Sequence, residues 1–67
     1  MSATKDFRGL IQFAICEEQK AQKMYKDLAE KTGDAFTKAI LEGLHEQEVH
    51  HEEKLKSILA SIEPTKA

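Results

Sequence analysis

Apolar residues in the second half of the chain recur at helical steps: Phe36, Ile40 and Leu44, then Leu55, Ile58 and Ile62. Continuing the rhythm of four and three from Leu44 to Leu55 lands on Glu48 and His51. A carboxylate and an imidazole thus occupy inward-facing positions, where an unpaired charge is strongly penalised unless something binds it. The first half has the same design. Phe7, Ile11, Ala14, Glu18, Ala21, Tyr25 and Leu28 alternate in steps of four and three, Leu10, Met24 and Ala29 widen the stripe, and Glu18 is the acid within it.

Lys31-Thr32-Gly33-Asp34 interrupts the helical pattern. Gly33 suits the left-handed conformation just past a helix end, and Asp34 suits the cap of the following helix. Thr4, followed by Asp6, suits the cap of a helix beginning near Lys5, and Pro64 terminates the second helix. The pattern predicts one all-α domain over residues 1–67. Helix one runs from about 5 to 31, the turn over 32–34, and helix two from about 35 to 62, antiparallel because the connection is short. Gly43 inside helix two costs roughly 1 kcal/mol relative to Ala, an expense that close helix approach would explain.

Glu18 lies 15 residues before Gly33 and Glu48 lies 15 after it. At 1.5 Å per residue both stand roughly 22 Å from the turn, near the middle of their helices, with His51 about one turn further along. A hairpin of 67 residues buries only a small core of its own, so self-association is expected. If two hairpins pair about a two-fold axis into a four-helix bundle, residues at mid-height meet their symmetry mates. Four carboxylates and two imidazoles then converge: a Glu from each of two helices and Glu-x-x-His from each of the other two, the set that di-iron carboxylate bundles use.

Composition removes several classes of function. With 10 Lys+Arg against 12 Asp+Glu interspersed along the chain, a net charge of -2 gives no electrostatic case for nucleic acid or an anionic membrane surface. Cys16 is the one cysteine, so neither an intrachain disulfide nor a Cys-x-x-Cys site can form. No apolar run approaches a membrane span and the first residues lack the apolar region of a secretory signal, so the expectation is a cytoplasmic protein.

Glu18-x-x-Ala21-x-x-x-Tyr25 followed by Leu28-Ala29, then Glu48-x-x-His51-x-x-x-Leu55, resembles the ferritin-like di-iron proteins, in particular the rubrerythrins and the small encapsulated ferritins. The resemblance covers about residues 7–62 and implies a half-ferritin hairpin that dimerises into the complete bundle. It makes Glu18 a terminal or bridging carboxylate, Glu48 a bridging carboxylate and His51 the nitrogen ligand. Tyr25 matches a tyrosine that hydrogen-bonds near the metal site. The implied cofactor is two Fe ions per dimer, with Mn or Zn as alternative occupants.

Departures from the family pattern refine this picture. The chain supplies one half of a bundle that rubrerythrins usually carry in one chain, and the four-cysteine rubredoxin domain is absent. Ile15 stands where one half of the rubrerythrin site has an additional glutamate, which favours a symmetric, ferritin-type site. Likeness to encapsulated ferritins also implies an encapsulin-type shell as a partner, although Ile62-Glu63-Pro64-Thr65-Lys66-Ala67 does not look like a targeting tail for one.

The expected activity is oxidation of Fe(II) by oxygen or peroxide, in iron storage or detoxification. A rubrerythrin-like peroxide reductase and a metal-free helical dimerisation module are the alternatives. His50 reads as a surface residue, His45 lies about 60° from Glu48 on the helix, and Glu42-x-x-His45 repeats the Glu-x-x-His spacing off the apolar series. The runs Glu52-Glu53-Lys54 and Lys20 to Lys26 read as solvated faces with i, i+4 pairing.

Overall fold

A computed structural model describes residues 3–62, with side chains from Asp6 onward. Two α-helices account for nearly all of it: α1, Ala3–Lys31, and α2, Ala35–Ile62. They pack against each other as an antiparallel hairpin. Helix α1 begins at Ala3, so Thr4 lies inside its first turn rather than ahead of it, while Asp6 in that turn and Lys31 in the last complement the helix dipole. Pro64 lies outside the described residues.

The turn works through Asp34. Its Oδ2 accepts hydrogen bonds from the Thr37 N–H at 2.7 Å and the Thr37 hydroxyl at 2.6 Å, the geometry of an N-cap. The Asp34 carbonyl then accepts the first helical bond from Lys38 N–H at 2.9 Å. Gly33 does not adopt the left-handed conformation: no described glycine has positive φ. The Thr32 N–H continues the α1 ladder to the Leu28 carbonyl at 3.0 Å, and the Asp34 N–H donates to Thr32 Oγ1, so the chain leaves the helix without reversing handedness.

The face of α1 that meets α2 is rotated from the stripe centred on Phe7, Glu18 and Tyr25. Among the described residues only Ile15 and Ala29 are buried apolar side chains, and these mark the line of helix contact. Ala14, Glu18, Ala21 and Tyr25 are half-buried beside it, whereas Phe7, Leu10, Met24 and Leu28 are exposed. On α2 the half-buried line runs through Leu41, His45, Glu48, Glu52, Leu55 and Leu59, and Phe36, Ile40 and Ile58 are exposed. The apolar arc of each helix is broader than contact with one neighbour can cover, so its mean direction falls between that neighbour and the open side. That is the physical reason for the rotation.

At 100° per residue, Leu10 and Leu28 sit about 120° from the Ile15–Ala29 line, and Ile40 and Ile58 about 100° from the Leu41–Leu59 line, in the same rotational sense. Because the helices run antiparallel, both exposed arcs fall on one side of the hairpin. The molecule is one helix layer thick, with extents of 51 × 23 × 13 Å. Its radius of gyration of 15.7 Å far exceeds the roughly 11 Å of a compact domain of this length. No Cβ added at Gly43 would meet an atom within 4 Å, so the close approach expected there does not occur within the hairpin.

Candidate metal centre

Glu18, Glu48 and His51 come together at mid-height of the helix pair. Each offers a ligand atom, and these atoms all lie within 4.8 Å of one another. Among the described residues this is the one group of at least three acids, histidines or cysteines so arranged. The spacing follows from the sequence, since Glu48 and His51 are neighbours at i, i+3 on α2 and Glu18 faces them from the same level of α1.

His51 Nδ1 lies 3.1 Å from Glu48 Oε1 and 3.6 Å from Glu18 Oε1. The shorter of these is within hydrogen-bond distance, with His51 as donor in its Nδ1–H form. The Glu18 and Glu48 side chains are 24% and 19% exposed, whereas that of His51 is 51% exposed. The three therefore do not sit in a closed core of the hairpin; they straddle its inner contact line and its open apolar side. A shallow opening lined by Glu18, His51, Lys54 and Leu55 leads to them from that side.

The donor set fits a transition metal. Carboxylate oxygen and imidazole nitrogen serve iron, manganese and zinc, and two such ligands held at about 2.1 Å from one ion stand roughly 3.0–3.5 Å apart. Of the Nδ1 distances to the two carboxylates, 3.1 Å lies inside that range and 3.6 Å just beyond it. Binding a cation through Nδ1 requires its lone pair, so in the Nδ1–H form that proton has to leave Nδ1 before a cation binds there.

Behind these residues, toward the inner contact line, lies a polar contact that the charge pattern concealed. Glu52 is only 15% exposed and accepts from Gln22 Nε2 at 2.6 Å and Gln19 Nε2 at 2.9 Å, both across the helix interface, and from Lys56 Nζ at 2.8 Å. Hydrogen bonds from Lys56, Gln22 and Gln19 hold its carboxyl down at about 2, against an ordinary 4.5. The reading of Glu52 as part of a solvated run is corrected. It sits one turn beyond Glu48, on the side of α2 that faces α1, and the signal for it was Gln22 one turn beyond Glu18.

The remaining residues singled out in the sequence fall elsewhere. His45 is half-buried and lines an outer polar groove with Gln19, Gln22, Lys26 and Glu30, and Glu42 lines the adjoining one. His50 is exposed between Glu46 at 3.6 Å and Glu53 at 3.8 Å, and Cys16 is exposed. Tyr25 is half-buried on α1, two turns beyond Glu18 and outside the ligand group. No described helix is long and apolar enough to cross a membrane.

Comparison with known proteins returns one result at the level of families. No curated protein and no solved structure matches the chain. The family model described as rubrerythrin matches residues 2–64, nearly the whole length. With a Glu/Glu-x-x-His group on a helical hairpin and a match of that extent, the chain belongs to the rubrerythrin family.

Proposed function

We propose that the chain is a di-iron carboxylate protein that oxidises Fe(II) with oxygen or peroxide at a site completed by a second copy of itself. The observation that carries this reading is the convergence of Glu18, Glu48 and His51 at the edge of an apolar face. Three ligands are half of a di-iron set. A two-fold mate laid on that face brings the other half to the same height.

Surface area favours such a mate. The chain exposes 5215 Å², against about 4,300 Å² for a folded monomer of its mass. The excess of roughly 900 Å² is what one partner contributes to a standard interface of about 800 Å² per side.

In this reading Glu48 and Glu18 bind Fe(II) through their carboxylates, offsetting the charge that grows as each ion is oxidised. His51 would supply the nitrogen ligand through Nδ1, any proton there moving to Nε2 or to solvent so that the ring binds as neutral imidazole. Bound between these ligands, two Fe(II) ions would supply two electrons, enough to take peroxide with two protons to two waters. Leu55, which lines the opening beside Glu18 and His51, would limit water on that side. Iron storage or detoxification is the role this activity serves.

One observation favours a second reading. Glu18 and Glu48 already approach His51 across and along the helices without a cation, as a polar device fixing register in a metal-free module would. Metal content per chain, measured with the mass in solution, separates the two. About one iron per chain in a dimer, with Fe(II) oxidation abolished in His51→Leu while the dimer persists, supports the metal site. A protein that takes up no Fe(II) when supplied, and becomes more stable as His51→Leu, leaves only the register device.

A further inference from the structure

We infer that Glu52, gripped by Gln19 and Gln22, is the positioning residue that sets the height of α2 against α1 where Glu18 faces His51. The inference deepens the metal reading, and rests on it only for the consequence to metal affinity.

The argument begins with placement. Gln19 adjoins Glu18, Gln22 lies one turn beyond it, and Glu52 adjoins His51 one turn beyond Glu48. The two candidate ligand-bearing turns and the two gripping turns are therefore the same stretches of helix, used on adjacent faces. Gln22 Nε2 also lies 3.5 Å from the Glu48 main-chain carbonyl, so one amide touches both the Glu52 carboxylate and the backbone that carries Glu48.

Chemistry explains why this grip sets a height where apolar contacts do not. Ile15 and Ala29 fix the height less sharply, because the hydrophobic gain from burying them is non-directional. Hydrogen bonds at 2.6 and 2.9 Å to an ionised acceptor weaken steeply when stretched. A slip of one residue, about 1.5 Å, breaks them and carries His51 away from Glu18. Lys56 anchors the same carboxylate from its own helix, so Glu52 is held on both sides.

The test uses the full chain and three variants. Glu52→Leu removes the acceptor and leaves an apolar side chain in the contact. Gln22→Glu sets two carboxylates face to face. The swap Gln22→Glu with Glu52→Gln restores one donor and one acceptor in reversed order. Helix content and mass are followed together with two readouts that general stability does not set: the nuclear Overhauser contact between Glu18 and the His51 ring in metal-free protein, and the affinity and visible spectrum of Co(II).

In Glu52→Leu and Gln22→Glu the Glu18–His51 contact disappears while helix content and mass persist. Co(II) affinity falls roughly 10- to 100-fold with an altered spectrum. The swap recovers both. A contact that survives in Glu52→Leu with Co(II) affinity within twofold of wild type overturns the inference, and so does a swap that recovers neither. Should Glu52→Leu fail to fold, Gln22→Glu against the swap gives the same comparison. If wild type takes no Co(II) yet the contact is lost and recovered as described, the positioning role stands and the metal reading falls.

Discussion

Ile40→Asp tests the second layer most directly. Ile40 is 49% exposed in the single hairpin, so about half the value of burying an isoleucine, roughly 1 kcal/mol, remains to be gained when its face is covered. A two-fold dimer gains it twice, about 2 kcal/mol, and an aspartate aimed into that apolar contact adds at least as much again in uncompensated desolvation. The sum weakens dimerisation by about three powers of ten in Kd. The isolated hairpin tolerates the change, because position 40 faces solvent there. Sedimentation equilibrium reads the mass, and circular dichroism reads the melting temperature over a hundredfold range of concentration. Wild type should be dimeric with a melting temperature that climbs with concentration, because association is linked to folding. Ile40→Asp should be monomeric at micromolar concentration. A wild type whose melting temperature ignores concentration, or an Ile40→Asp protein of unchanged mass, refutes the reasoning.

Three smaller perturbations probe the hairpin itself. Asp34→Ala removes the acceptor for both Thr37 donors and should lower the melting temperature by roughly 5 °C in a thermal scan, with Thr37→Val, which keeps the backbone bond, falling less. Gly33→Ala should stabilise by about 0.5 kcal/mol in urea titration, since Gly33 has no positive φ and an added Cβ meets nothing within 4 Å. The carboxyls of Asp34 and Glu52 are both held below their ordinary values, Asp34 by its bonds from Thr37 and Glu52, at about 2, by Lys56 and the two glutamines. Depressed acids bind fewer protons folded than unfolded, so their contribution is complete above about pH 4.5 and is lost as pH falls toward 2. Acid titration of helix content should show that loss, and Glu52→Leu should flatten its lower part.

The hairpin was legible because its information is local. Periodic apolar positions, a three-residue break and a capping aspartate are each decided within a few residues, and Asp34 caps α2 as its type implies. The convergence of Glu18 with Glu48 and His51 was legible from a count along two helices of equal rise. Rotation was not. The stripe gives the direction of the mean apolar face, which in a hairpin points between its one neighbour and the open side, so Ile15 rather than Glu18 lies on the line of contact. Gln19, Gln22 and Glu52 were concealed for a related reason: polar residues beside an apolar stripe look solvated until the partner helix is set against them. Gly33 was misread because the chain can leave α1 through Thr32 and Asp34 without a left-handed residue.

A molecule 13 Å thick has no interior in which to hide a reaction. If the open face needs a second copy, dilution becomes a switch. Below the dissociation constant each hairpin holds three ligands in water and no paired site. Turnover per chain should then fall in proportion to concentration, so that the total rate follows the square of the amount of protein. The cell would control the chemistry by how much of the chain it makes, with a threshold that a single-chain bundle carrying both halves cannot have.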